Sequence, residues 1–259
     1  IGSSHVGQLN TTYIAYKLKT HGDNYEVLNL AYNGDTPTRR IKFGDEILSL
    51  KPKLIIWGIS YRDFKTNINE NPLPDPKYFL HESISEKFHN DITVNPKLIT
   101  LNFIRDSFNI SKIVKDRFQF SNTPFFQYND HQRNIVDDKL LRNEYPADMP
   151  LNLEEPTKNL EVKTLVSLLH KFQQNDVKVI LYLTPLQRHY LEIIPEKQNL
   201  TFYSTVSYIE NQTNIPIYNL QEKYSDAHIW LNTSHVAFNE KSLIYSEDVS
   251  KIILDELDS

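Results

Sequence analysis

Apolar residues fall into an alternation of helical stripes and short continuous runs. Residues 8 to 21 carry Leu9, Tyr13, Ile14 and Leu18 at helical spacing, with Gly22 placed to end the helix. "YEVLNLA" (25–31) reads as a buried strand. "GDTPTRRIKFGDEILSLKP" (34–52) offers Asp35 or Thr36 as a cap and Pro37 in the first turn. With Ile41, Ile47 and Leu48 on one side, it predicts a second helix. "KLIIWGIS" (53–60) is a second apolar strand. Strand and helix alternate, as in a parallel sheet wrapped by helices.

From Asp63 to about Asn159 the chain turns polar and rich in Asn, Pro and Phe, with scattered apolar residues. Helical patches remain in "LITLNFIRDSF" (98–108) and "DDKLLRNEY" (137–145). This predicts a largely helical insertion over 65–158 that covers the sheet or its rim, and substrate selection is expected there. The core pattern then resumes. "LEVKTLVSLLHKFQQND" (160–176) sets Val162, Leu165, Val166, Leu169 and Phe172 on one helical face, and "VKVILYLTPL" (177–186) is the strongest strand signal. "NIPIYNL" (214–220) is a short strand, and "YSEDVSKIILDEL" (245–257) a last helix with Ser246 as its cap. The expected architecture is one α/β domain over 1–259, a three-layer α/β/α arrangement around a parallel sheet.

Composition narrows the partners. Acids and bases are interspersed at a net charge of −5, without the clustered Lys/Arg that phosphate backbones require, so nucleic acid is not expected. The absence of cysteine removes disulfides, thiol nucleophiles and Cys-ligated metals. No run of about 18 apolar residues occurs in the chain. Five Asn-x-Ser/Thr sequons, at Asn10, Asn109, Asn199, Asn211 and Asn232, look like a secretory hint, but chance explains most of them in a chain so rich in asparagine.

The glycines stand at 2, 7, 22, 34, 44 and 58, and none follows. Backbone freedom is therefore concentrated in the first loops, where close approach to a ligand is easiest. In open α/β sheets the ligand lies beyond the carboxyl ends of the strands, which directs attention to "GSSHVG", "NLAYNGDTP" and "WGISYRDF", and to "NTSHVAFN" ahead of the last helix. A serine hydroxyl needs an imidazole to take its proton, and Ser4 and His235 are the candidate pair. Blander roles exist for each: Ser3 and Ser4 as helix caps, Gly34 as the turn residue of "NGD", and His235 as a surface histidine. Arg62 is either a holder of an anionic substrate group or a solvated side chain. Trp57 and Trp230 read as core or site-wall aromatics. His5 is expected to point away from the nucleophile. The spacing of Gly2 and Gly7 matches a P-loop's glycines, but no Gly-Lys-Ser/Thr follows. A metal site from His228 and His235 lacks flanking acids, so neither metal nor cofactor is expected.

These four blocks, in this order, resemble the SGNH hydrolases, the GDSL esterase and lipase superfamily. Gly2-Ser3-Ser4 takes the place of the family's Gly-Asp-Ser, which implies Ser4 as nucleophile. "NLAYNGDT" is similar to the family's second block and keeps Asn29, Gly34, Asp35 and Thr36, with Gly34 at the oxyanion-hole glycine. In the third block Gly58 is kept and Ser60 stands where the family has an Asn donor. In the last, His235 is kept and Asn232 stands at the Asp position.

The resemblance implies a flavodoxin-like sheet and a serine-dependent esterase or acyltransferase. Its catalytic residues would be Ser4, His235 and Asn232, and its oxyanion hole Ser4, Gly34 and Ser60. Asn232 is expected to accept the imidazole Nδ1 proton through its carbonyl oxygen, giving a slower site, with Asp226 and Glu240 as alternative acids. The implied partner is an acyl-ester small molecule or an acylated glycan. The alternative is a catalytically weak or inactive domain that binds a glycan or protein in the same cleft. A strand of about five residues is expected before the nucleophile turn, of which Ile1 alone is present. The natural chain is therefore expected to extend upstream, where a signal or anchor would give an extracytoplasmic or membrane-anchored location.

Overall fold

The computed structural model describes residues 1–22, 25–32, 34–66, 134–144 and 151–258. It is a mixed α/β structure in which a parallel three-stranded sheet is flanked by helices. The strands are β1 (Leu54–Ile59), β2 (Lys178–Leu183) and β3 (Ile217–Asn219), in the order β1-β2-β3. β1 and β2 pair in register from Leu54 opposite Lys178 to Ile59 opposite Leu183. β3 continues the sheet from Leu181 opposite Ile217 to Leu183 opposite Asn219.

Both faces of the sheet are apolar, as near-continuous hydrophobic strands require. Ile55, Trp57 and Ile59 of β1 and Val179, Leu181 and Leu183 of β2 point to one face. There they meet Val162, Leu165, Leu169 and Phe172 of the helix Leu160–Gln173, and Phe202 and Ile209 of the helix Glu196–Thr213. Ile180 and Tyr182 point to the other face. They pack with Ile14 and Leu18 of the helix Thr11–Thr20, and with Tyr245, Val249, Ile252 and Ile253 of the helix Leu243–Leu257. Each such side chain contributes about 1.5–3 kcal/mol on full burial.

Several predicted elements differ in the structure. Residues 25–31 join no strand ladder among the described residues. Their side chains alternate as a strand's do, Leu28 and Leu30 toward one core and Tyr25 and Val27 toward the other. Ile1 and Gly2 lie between this segment and β1: Ile1 N donates to Ile56 O (2.7 Å), Gly58 N to Ile1 O (3.0 Å), and Tyr32 N to Gly2 O (3.1 Å). Beyond them a cavity of about 320 Å³, lined by Val27, Leu28, Leu54 and Ile55, separates the two.

The helix expected over 34–52 is broken into Pro37–Arg40, a 3₁₀ turn at Ile41–Phe43, and Gly44–Ser49. Ser246 is no cap: the last helix starts at Leu243, and Ser246 Oγ, buried within it, accepts the N–H of Asn10 (2.9 Å). The pattern reading missed the helix Glu196–Thr213, whose polar sequence shows only Phe202, Thr205, Ile209 and Thr213 buried.

Of the expected insertion, 67–133 and 145–150, including the "LITLNFIRDSF" helix, lie outside the described residues. Its two ends meet, since Lys65 and Leu153 form an antiparallel bridge and Thr66 N donates to Asn152 O (3.2 Å). The helix Asp138–Glu144 forms as expected, and its Leu141 is buried in the second core.

Candidate active site

The turn carrying Ser4 is shaped by two glycines and one valine. Gly2 has φ of 144°, and a Cβ there would lie 2.8 Å from Gly58 O and 2.6 Å from Val6 Cγ2. A Cβ on Gly58 would also collide with Val6 and would lie 2.7 Å from the Tyr182 hydroxyl. Only hydrogen fits at either position, so the first residues sit hard against the end of β1. Ser3 is the N-cap residue of the single turn Ser4–Gly7, without a side-chain capping bond. Asn29 holds the far side: its Nδ2 donates to Val6 O (3.0 Å) and its Oδ1 accepts from Ala31 N (2.9 Å).

Ser4 and His235, 231 positions apart, meet with Oγ and Nε2 at 2.8 Å. The tautomer follows from the surroundings. Asn232 Oδ1 accepts the backbone N–H of Ser234 (3.0 Å) and of His235 (2.8 Å), so the atom facing these donors is the amide oxygen. The same oxygen lies 2.9 Å from His235 Nδ1. An oxygen already receiving two donors requires a proton on Nδ1, which leaves Nε2 with a lone pair directed at Ser4. Ser234 Oγ, 3.0 Å from Nδ1, completes the anchor.

Burial pushes the His235 imidazole down to about 4, helped by the positive charge of Arg62. It is neutral at pH 7. Neither alternative acid serves it: Asp226 pairs with Arg188 (2.6 Å) on the surface, and Glu240 is exposed.

The loop bearing Gly34 is held by an internal ion pair. Buried Asp35 accepts from Arg40 Nε (2.7 Å), and Arg40 Nη2 also donates to Leu30 O (2.8 Å). Arg39 donates to Gly34 O. Gly34 itself has φ of 67°, and Asp35 N donates to Tyr32 O (3.1 Å), so this loop is tied through Tyr32 to Gly2. Neither Gly34 nor Ser60 hydrogen-bonds Ser4. Ser60 follows β1 and is buried, its N–H donating to Asp63 Oδ2 (2.5 Å). Its hydroxyl is close to the same carboxyl but makes no well-formed hydrogen bond among the described residues. Burial raises Asp63 to about 7, against the opposing pull of Ser60 and Ser3.

His5 departs from expectation. Its ring stacks on that of His235 with centroids 4.6 Å apart and planes 6° from parallel, and Ser3 Oγ lies 3.0 Å from its Nδ1. Pattern reading placed it elsewhere because a helix continuing from Ser4 turns the next side chain aside. The helix lasts a single turn. Asp63 was legible as the fourth residue of "SYRD", a capping-box spacing, and Ser234 as the neighbour of His235. Both tryptophans are buried, Trp57 in the first core and Trp230 in the second, where its Nε1 donates to Tyr224 O (3.0 Å).

In comparisons with known proteins, no protein-family model and no curated protein matches the chain.

Proposed function

We propose that this chain is a serine-dependent esterase or acyltransferase of the SGNH type, acting on an acyl ester. The observation that carries the reading is the 2.8 Å approach of Ser4 Oγ to His235 Nε2, with the opposite ring nitrogen anchored on Asn232. In this mechanism Ser4 Oγ attacks the ester carbonyl carbon while its proton passes to His235 Nε2. The negative charge that develops on the carbonyl oxygen is met by backbone N–H groups of Ser4 and Gly34 and by the Ser60 hydroxyl. Losing one such donor typically costs about 2.7–4 kcal/mol of transition-state stabilisation. Collapse of the tetrahedral intermediate breaks the ester C–O bond, and the leaving oxygen takes the proton back from His235. Water, or a hydroxyl acceptor in the transferase case, then attacks the acyl-serine by the reverse proton path.

An acylated carbohydrate, a lipid and a small ester all satisfy this chemistry. The neutral Asn232 favours one rival, a cleft of the same shape that binds an acylated ligand without turning it over. A fluorophosphonate probe separates the two. Covalent labelling of folded protein, mapped to Ser4 by peptide mass and lost in Ser4→Ala, is the expected outcome. Folded protein that stays unlabelled at Ser4 defeats the enzyme reading.

A further inference from the structure

The chemistry proposed above uses one imidazole, yet the structure stacks two. We infer that His5 is a positioning residue: its ring, pinned by Ser3 and lying flat on His235, sets the plane in which Nε2 meets Ser4 Oγ and seals that face from water.

Three observations support this. First, the stack is nearly parallel, 6° between planes at 4.6 Å, and both rings are anchored at Nδ1, His5 by Ser3 Oγ and His235 by Asn232 and Ser234. Anchored on one edge alone, an imidazole is still free to rock about that edge; a flat neighbour removes this freedom. Second, His5 is buried, and the groups facing the pair leave it uncharged. Burial acts first, then the proximity of His235 and of Arg62, all disfavouring a proton on His5. Ser3, Ser4, Asn232 and Ser234 complete the polar surroundings and carry no charge, while Asp63 lies behind Ser3. Third, Asn232 supplies no negative charge to the imidazolium that forms when Ser4 gives up its proton. A neutral aromatic face at stacking distance attracts a cation, so the His5 ring partly fills that role.

The inference rests on the esterase reading for its kinetic half only. Its structural half concerns the protonation of His235 and is measurable without turnover. His5→Phe keeps a flat ring of similar extent; His5→Ala removes it and opens the face to solvent. NMR titration of His235 in the full chain reads the first half, and hydrolysis of p-nitrophenyl acetate the second.

In His5→Phe, His235 is expected to keep its midpoint near 4 and kcat to stay within about threefold. In His5→Ala the midpoint is expected to climb by about one pH unit or more toward the ordinary 6.5, because relief of desolvation, the first cause of the depression, outweighs the loss of the ring's attraction for the cation. There kcat is expected to drop by roughly 10- to 100-fold with KM nearly constant. Should His5→Ala fail to fold, His5→Leu makes the comparison, since it fills the space without a flat face and is expected to lower kcat. An unmoved His235 midpoint in His5→Ala, or a Leu variant as fast as wild type, overturns the inference. If no variant hydrolyses the ester, wild type included, the esterase reading fails while the titration still decides the role of His5.

Discussion

At position 232 an amide nitrogen stands where a carboxylate would have its second oxygen, and the proposed chemistry turns on that atom. The Asn232 oxygen already does a carboxylate's geometric work, receiving two backbone N–H groups and the His235 Nδ1 proton. What it lacks is charge. The reverse exchange, Asp to Asn, cost about four orders of magnitude in the chymotrypsin-type triad, largely through the wrong tautomer. Here the tautomer is correct, so the deficit is confined to electrostatics. Asn232→Asp is therefore expected to raise kcat by roughly 10- to 1000-fold, less than that full span. The added charge stabilises the imidazolium, so the acid limb of the kcat/KM profile should move up from about 4. Profiles of both proteins from pH 3.5 to 8 check this; an acid limb that stays in place shows that residue 232 does not set the basicity of His235.

Among the elements, the loop between residues 32 and 37 shows how a buried charge can serve a backbone. Asp35 and Arg40 are 3% and 7% exposed, too dry for a lone charge. The guanidinium offsets the burial that would otherwise raise the Asp35 carboxyl further, and it also reaches Leu30 O, closing the loop behind Gly34. Arg40→Ala leaves the carboxylate without its cation. The loss is expected to be about 3–5 kcal/mol, measurable as a lower urea midpoint at unchanged slope. The break of the expected 34–52 helix also belongs at this scale. Thr38 donates through its N–H and its hydroxyl to Glu161, at 2.7 and 2.6 Å, so the Pro37–Arg40 turn is bound to the helix Leu160–Gln173 rather than continuing straight. Helical propensity predicted a helix here; contact with a distant helix divided it.

For the whole molecule, buried titratable groups on the same edge of the sheet pull stability in opposite directions with pH. His235 has a folded value near 4, below its ordinary 6.5, so the unfolded chain binds more protons between these values. Its contribution is complete above about 6.5 and is lost as pH falls toward 4. His5 acts in the same sense. Asp63, raised from 3.8 to about 7, acts oppositely: the folded state holds the proton longer, and stability is lost as pH rises through that window. Asp63→Asn removes the second trend while retaining an acceptor for Ser60 N–H. Its Tm relative to wild type is expected to be higher at pH 8 than at pH 5. A difference independent of pH would show that Asp63 is ionised throughout the range.

The sequence by itself determined the alternation of apolar strands and amphipathic helices, because burial on both faces of a parallel sheet writes a continuous apolar run into each strand. It also placed glycine at the bends of Gly2 and Gly34, where φ is positive, and at Gly58 within β1, where Val6 and Tyr182 leave no room for a Cβ. It left the helix Glu196–Thr213 unread, since four buried residues in eighteen form too sparse a stripe. It also wrote the alternation of a strand into 25–31, a segment that joins no ladder among the described residues. Tertiary structure alone decided what surrounds Ser4. The 231-position separation of Ser4 and His235 is closed by strand register and helix packing, which no local pattern encodes. The stack of His5 on His235 depends on a helix ending after one turn, and the tautomer of His235 on two backbone N–H groups turned toward one amide oxygen. Residue types pointed to a serine and a histidine; distance and direction, set by the packed core, brought the two together.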